Sequence, residues 1–170
     1  MRKAAIALMV AGVIGVAVGV VWIARDEGDG GGDGASAPFR LAPTTPASAP
    51  FAGLTATRLG VGGRCLDVVV ADDTVERVQG LRQRSNIGRY DGMLFVFDAP
   101  SNETFTMSTV PVGLDIGFYA ADGSPVSRRH MKPCPRAEAD CPSYRSSGPF
   151  TYALETLTGN LPSGALSGCN

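Results

Sequence analysis

The feature that most constrains this chain is an uncharged stretch of twenty-one residues, Ala4 to Ala24, placed directly after Arg2 and Lys3. As a helix rising about 1.5 Å per residue, it spans the roughly 30 Å hydrocarbon core of a bilayer. A removable export signal has a shorter apolar segment of about 7 to 15 residues, closely followed by a small-x-small cleavage site. The nearest such triplet here is Ala35-Ser36-Ala37, far downstream and followed by Pro38. An uncleaved transmembrane anchor is therefore expected over residues 1–25. Asp26, Glu27, Asp29 and Asp33 follow the apolar segment, so the positive-inside rule puts the N-terminus in the cytoplasm and the rest of the chain on the extracytoplasmic side of the cell membrane. The first expected partner is the lipid bilayer itself, met through residues 4–24.

Residues 26–52 are Gly/Asp-rich and then Ala/Pro/Ser/Thr-rich, with few large apolar side chains to offset the entropy of ordering, and read as a flexible linker. The remaining 53–170 suffice for one domain. From Gly53 onward eleven Lys/Arg stand against twelve Asp/Glu. No basic face is evident in this composition for a phosphate backbone, and nucleic acid is not expected as a partner.

Within 53–170 the pattern is mainly that of strands. Leu59 to Val61 and Cys65 to Val70 flank Gly62-Gly63, a two-residue hairpin turn. Asp73 with Glu76 three residues on forms a capping box, and Val75, Val78 and Leu81 then give an apolar stripe that predicts a helix packed on a sheet face. Met93 to Phe97 is an apolar run of the kind found in strands buried on both faces. Leu114, Ile116 and Phe118 alternate with Asp115, Gly117 and Tyr119, and Asp122-Gly123 turns the chain into Val126 to Met131, a second hairpin. Phe150, Tyr152 and Leu154 alternate with Thr151, Ala153 and Glu155 in a late strand. The predicted class is mainly β, of α+β type: a small antiparallel sheet rolled toward a barrel, with one packed helix and no alternating β-α units.

Several of these segments together resemble a known family. VVVADDTVERVQGL (68–81), DGMLFVF (91–97), Phe105 to Met107, PVGLDIGF (111–118), Asp122-Gly123, PCPRAEADCPSY (133–144) and YALE (152–155) are similar to the successive blocks of the family called domain of unknown function 192. The resemblance covers about residues 58 to 160. It implies a small β-rich domain, often exported or membrane-anchored in bacteria and archaea, and no particular reaction. Where the family reads Phe-Trp-Met-Lys/Arg-Asn-Thr, this chain has Phe105-Thr106-Met107-Ser108-Thr109-Val110. An aromatic, a cation and an amide are missing from that block.

Four cysteines in an exported domain argue for disulfides. Cys134 and Cys141, seven apart in a Pro-rich loop, form the natural local pair, leaving Cys65 with Cys169. A zinc site built from His130, Cys134, Cys141 and Cys65 is the competing reading, opposed by the irregular spacing and the oxidising compartment. A redox pair would be expected as Cys-x-x-Cys, which does not occur here. No metal or cofactor is expected.

His130 is the single histidine, and no Gly-x-Ser-x-Gly elbow is present. Asp115 and Glu155 each interrupt or end an apolar strand, and a carboxylate so placed is either solvent-facing or paired, with Arg82 and Arg84 as plausible partners. Arg84, Asp115, His130 and Glu155 are therefore predicted to converge on a polar patch able to hold a small polar or anionic ligand. The function this implies is an extracytoplasmic module for a small ligand or an envelope protein. The alternative is a hydrolase acting on an envelope component, with a carboxylate or His130 as acid/base. A cleft holding a carboxyl of raised pKa favours the enzyme, and a shallow apolar patch favours the interaction module.

Overall fold

The computed structural model describes residues 37–169; the predicted anchor and the first part of the linker lie outside them. In chain order the strands are β1 (Thr45–Pro46), β2 (Thr55–Val61), β3 (Arg64–Ala71), β4 (Gly92–Ser101), β5 (Phe105–Thr106), β6 (Leu114–Tyr119), β7 (Pro125–Met131), β8 (Ser143–Tyr144), β9 (Phe150–Leu157) and β10 (Leu166–Ser167). The single α-helix among the described residues, α1 (Thr74–Gln79), lies between β3 and β4, and a 3₁₀ turn spans Glu138–Asp140. The main sheet runs β1-β2-β3-β4-β9-β6-β7, with β10 added to β2, and β5 pairs β8 in a small second sheet.

Both expected hairpins form. Gly62 and Gly63 take φ of +55° and +82°, which side-chain-bearing residues rarely adopt, and set Val61 opposite Arg64. The turn through Asp122-Gly123 joins β6 to β7, with Asp115 opposite His130.

The sheet differs from the expected one in three ways. It is mixed, because β3 and β4 are parallel, Val68 pairing with Gly92 and Ala71 with Phe95. Parallel neighbours need a crossover, and α1 with its flanking loops supplies one. The sheet is also open, since the end strands β1 and β7 do not pair. Closure is unnecessary because both faces are covered. Met93, Phe95, Ile116, Phe118 and Ala153 pack on one face with Met107 and Val110, while Leu66, Val68, Leu94, Tyr119 and Leu154 pack on the other with Leu161 and Leu166.

The third difference is the helix. Its N-cap is as expected, with Asp73 Oδ1 accepting from the Glu76 amide at 2.8 Å. It ends after six residues at Gly80, whose φ of +47° turns the chain out of the helix. Only Leu81 of the predicted stripe reaches the core, while Val75 and Val78 are 77% and 67% exposed.

The folded part also begins before Gly53. Phe39 donates its amide to Ala121 O at 2.8 Å and meets Tyr152 edge-on, and Phe51 is buried against Tyr90. These two phenylalanines, sparse within a polar segment, contribute enough apolar burial to hold it on the domain. Both expected disulfides form, with Cα–Cα separations of 5.9 Å for Cys134–Cys141 and 5.6 Å for Cys65–Cys169.

Candidate functional site

The four predicted site residues do not form one patch. Alternation along β6 and β9 sends them to different faces. Glu155 lies opposite Met93 of β4 and Ile116 of β6, on the face that carries the larger core, whereas Asp115 pairs with Thr156 and projects from the other. Asp115 and His130 do meet, Oδ1 lying 2.9 Å from Nδ1. The second oxygen of Asp115 accepts the Gly159 amide at 2.7 Å. Burial pushes the Asp115 carboxyl up, but the Gly159 amide, the His130 ring and the charge of Arg128 outweigh it and hold the group below its ordinary range. This pair closes the end of the β6–β7 hairpin onto the loop after β9.

Arg84 is elsewhere. It donates from Nη1 to Pro50 O at 2.8 Å, and its guanidinium lies 4.5 Å from the centre of the Phe51 ring. It clamps the N-terminal segment on the domain and reaches neither carboxylate. Arg82 pairs with Glu138 at 3.1 Å.

Glu155 follows neither course expected for a strand carboxylate. It is 4% exposed, and its side chain makes no hydrogen bond or ion pair with any described residue. Desolvation pushes its carboxyl from 4.5 up to about 8, so it is mainly protonated at neutral pH. It is not sealed in the core. It lines a cavity of about 340 Å³ between α1, β4 and the segment leading into β5. Phe95, Phe97, Phe105, Leu81 and Val110 form apolar walls, and Arg77, Arg82, Glu103 and Glu138 stand around it. The turn at Gly80 takes a φ of +47°, which side-chain-bearing residues rarely adopt, and carries the chain past the Phe95 ring that forms one wall.

The loop closed by Cys134–Cys141 supplies Glu138 to the same cavity, and β5 is held by its pairing with β8 just beyond that loop. Sequence reasoning grouped Glu155 with Arg84, Asp115 and His130, none of which lines this cavity, and it did not single out the aromatic walls. The DGMLFVF and Phe105 blocks carried that signal, since their rings alternate toward one face. Among the described residues no cluster of three or more metal-ligating side chains occurs.

The family profile described as DUF192, uncharacterized ACR, matches residues 57–166. The chain belongs to this family. Its match runs from within β2 to the first residue of β10 and takes in all the residues that line the cavity. No curated protein matches the chain. Among solved structures, a protein of unknown function from Novosphingobium aromaticivorans is similar at 25% identity and a TM-score of 0.62, over 73% of this chain and 93% of that one. A proposed transcription regulator from Sinorhizobium meliloti is similar at 28% identity and a TM-score of 0.55, over 65% and 90% respectively.

Proposed function

We propose that this DUF192 domain is a small-molecule-binding module, tethered by Ala4–Ala24 to the extracytoplasmic side of a membrane. The observation that carries the binding reading is Glu155, a buried carboxyl without a protein partner, set in a cavity with aromatic walls. The carboxyl oxygens are not among the fully enclosed unpaired atoms and open into the cavity, where a ligand that reaches them can make the hydrogen bond that the protein does not supply. The cavity volume lies at the lower end of the usual range for small-molecule sites, and its aromatic wall faces a rim of charged and hydroxyl side chains. Tethering rests on the uncharged N-terminal segment and its flanking charges, and the two disulfides agree with an oxidising compartment.

A second reading has its own support. A carboxyl raised to about 8 in a cleft is suited to donate a proton, as a general acid in a hydrolase does. His130 and Asp115, however, lie on the opposite face, and among the described residues no imidazole lines the cavity. Binding is therefore the conclusion. A thermal-shift screen of fragment-sized compounds on the full-length chain tests it. Compounds that raise the melting temperature of the wild type by several degrees should lose that effect in Glu155→Leu, which removes the polar group altogether, and keep it in His130→Ala. Ligands that act equally on both variants would place the site elsewhere.

A further inference from the structure

The charged groups around the cavity are not equally available. Arg77 gives Nη1 to Asp72 O at 2.6 Å and to Val96 O at 2.9 Å. Arg82 gives Nε to Val78 O, Nη1 to Ser108 O and Nη2 to Glu138, at 3.0, 3.2 and 3.1 Å. The Arg82–Glu138 pair is neutral overall, whereas Arg77 is hydrogen-bonded only to uncharged acceptors, the Asp72 and Val96 carbonyls and the Thr74 hydroxyl, and keeps its charge. The carboxyls that remain without partners are Glu155 within and Glu103 beside it. A cationic ligand would find two carboxyls without protein partners, whereas the one unpaired cation of the lining, Arg77, is held over the Phe97 ring by its backbone contacts.

The walls point the same way. Aromatic rings attract cations through the negative face of the π system, most strongly where water is excluded. One wall already holds a cation, since the Arg77 guanidinium lies 5.0 Å from the centre of the Phe97 ring. Phe95 and Phe105 line the same cavity without such a partner.

We propose that this cavity selects an organic ammonium: a small molecule whose apolar body packs against Phe95, Phe105 and Leu81 and whose cationic nitrogen forms an ion pair with the Glu155 carboxylate. The assignment rests on the binding reading above and names the class of ligand for the same site. Pairing a buried carboxylate with a hydrogen-bonded cation is the arrangement that makes its ionisation tolerable in a desolvated site. The proton balance follows directly. In the empty site Glu155 carries its proton; when the ammonium enters, the O–H bond breaks, the proton leaves to solvent, and the electron pair stays on the carboxylate facing the nitrogen. One proton is released for each ammonium bound. The other titratable groups facing the site are Arg77 and Arg82 from α1 and its exit, Glu103 from the segment before β5, and Glu138 from the 3₁₀ turn; β4 and β6 contribute Phe95, Phe97, Met93 and Ile116, which do not titrate.

The test is calorimetric titration of the full-length chain with three matched series, arylalkyl-ammonium ions such as 2-phenylethylammonium, the corresponding alcohols and the corresponding carboxylates, from pH 6 to pH 9. The ammonium series should bind tightest. Its affinity should rise about tenfold between pH 6 and 7 through release of one proton and level off near the Glu155 pKa of about 8. Glu155→Gln should weaken the ammonium series at least about tenfold, leave the alcohols within about twofold, and abolish the proton release. Alcohols or carboxylates that bind as tightly as ammonium, or ammonium binding that is unchanged in Glu155→Gln, would overturn the ligand class while leaving a binding site. Absence of binding in all three series would overturn the binding reading itself. Circular dichroism of the variant separates loss of the ligand contact from loss of the fold.

Discussion

Replacing Glu155 with glutamine should stabilise the protein at alkaline pH and do little at acid pH. An acid whose pKa is raised on folding resists ionisation more strongly in the folded state than in the unfolded chain. Stability is therefore greatest below the unfolded value and falls as pH rises through the window up to the folded value. For Glu155 that window runs from 4.5 to about 8. Each tenfold change in proton affinity is worth 1.36 kcal/mol, so the full cost above the window is about 5 kcal/mol. That is comparable with the whole stability of many small domains. Glutamine keeps the shape of the protonated acid and cannot ionise. Urea denaturation of both proteins at pH 4.5 and pH 9 should give similar stabilities at the lower pH and a gain of up to about 5 kcal/mol for Glu155→Gln at the higher one. Parallel pH profiles for the two proteins, or a variant that is less stable at pH 9, would show that the carboxyl finds solvent or a partner and would refute the reasoning.

Three further outcomes follow from the remaining contacts. Removing Cys65 and Cys169, 104 residues apart, should lower stability by about 4.7 kcal/mol on the loop-entropy account, and removing Cys134 and Cys141, seven apart, by about 2.5 kcal/mol; denaturant midpoints with matched reduced controls check both. Asp115→Asn weakens two charge-assisted hydrogen bonds and should cost about 1.5 to 3 kcal/mol at neutral pH. Because the Asp115 carboxyl is depressed in the folded state, its stabilisation is present above the ordinary value of 3.8 and is lost as pH falls through the lower folded value, so the two proteins should converge in acid unfolding followed by circular dichroism. Arg84→Ala releases the clamp on Pro50 and Phe51 and should cost about 1 kcal/mol in thermal unfolding while leaving ligand affinity unchanged.

The elements with strong local signals were legible in the sequence. Gly62-Gly63 and Asp122-Gly123 marked both hairpins through residues that accept positive φ, and the apolar run at Met93 to Phe97 marked the central strand. The spacing of the cysteines, with one pair close in the chain, led to the observed disulfides. The parallel pairing of β3 with β4 was not legible, because it depends on where the chain returns after α1, a contact far apart in sequence. The helix was misjudged for a similar reason. Its stripe of Val75, Val78 and Leu81 has helical period, but the helix ends at Gly80 and only Leu81 is buried. The site was half legible. Asp115 and Glu155 were both recognised as carboxylates in apolar strands, and the rule that such groups are exposed or paired held for Asp115 alone. Alternation in Phe150 to Glu155 suggested one wet face, yet β9 is central and buried on both sides, which no pattern within a single strand reveals. Arg84 was drawn to the wrong partner because its contacts come from a segment that composition marked as linker.

The protonation state of Glu155 decides how this cavity behaves. Carbon-13 NMR of the Glu155 carboxyl, assigned by its loss in Glu155→Gln and followed from pH 3 to pH 10, reads that state directly. The structure predicts a titration midpoint near 8. A midpoint at the ordinary value of 4.5 would show a solvated or paired carboxylate and contradict the account.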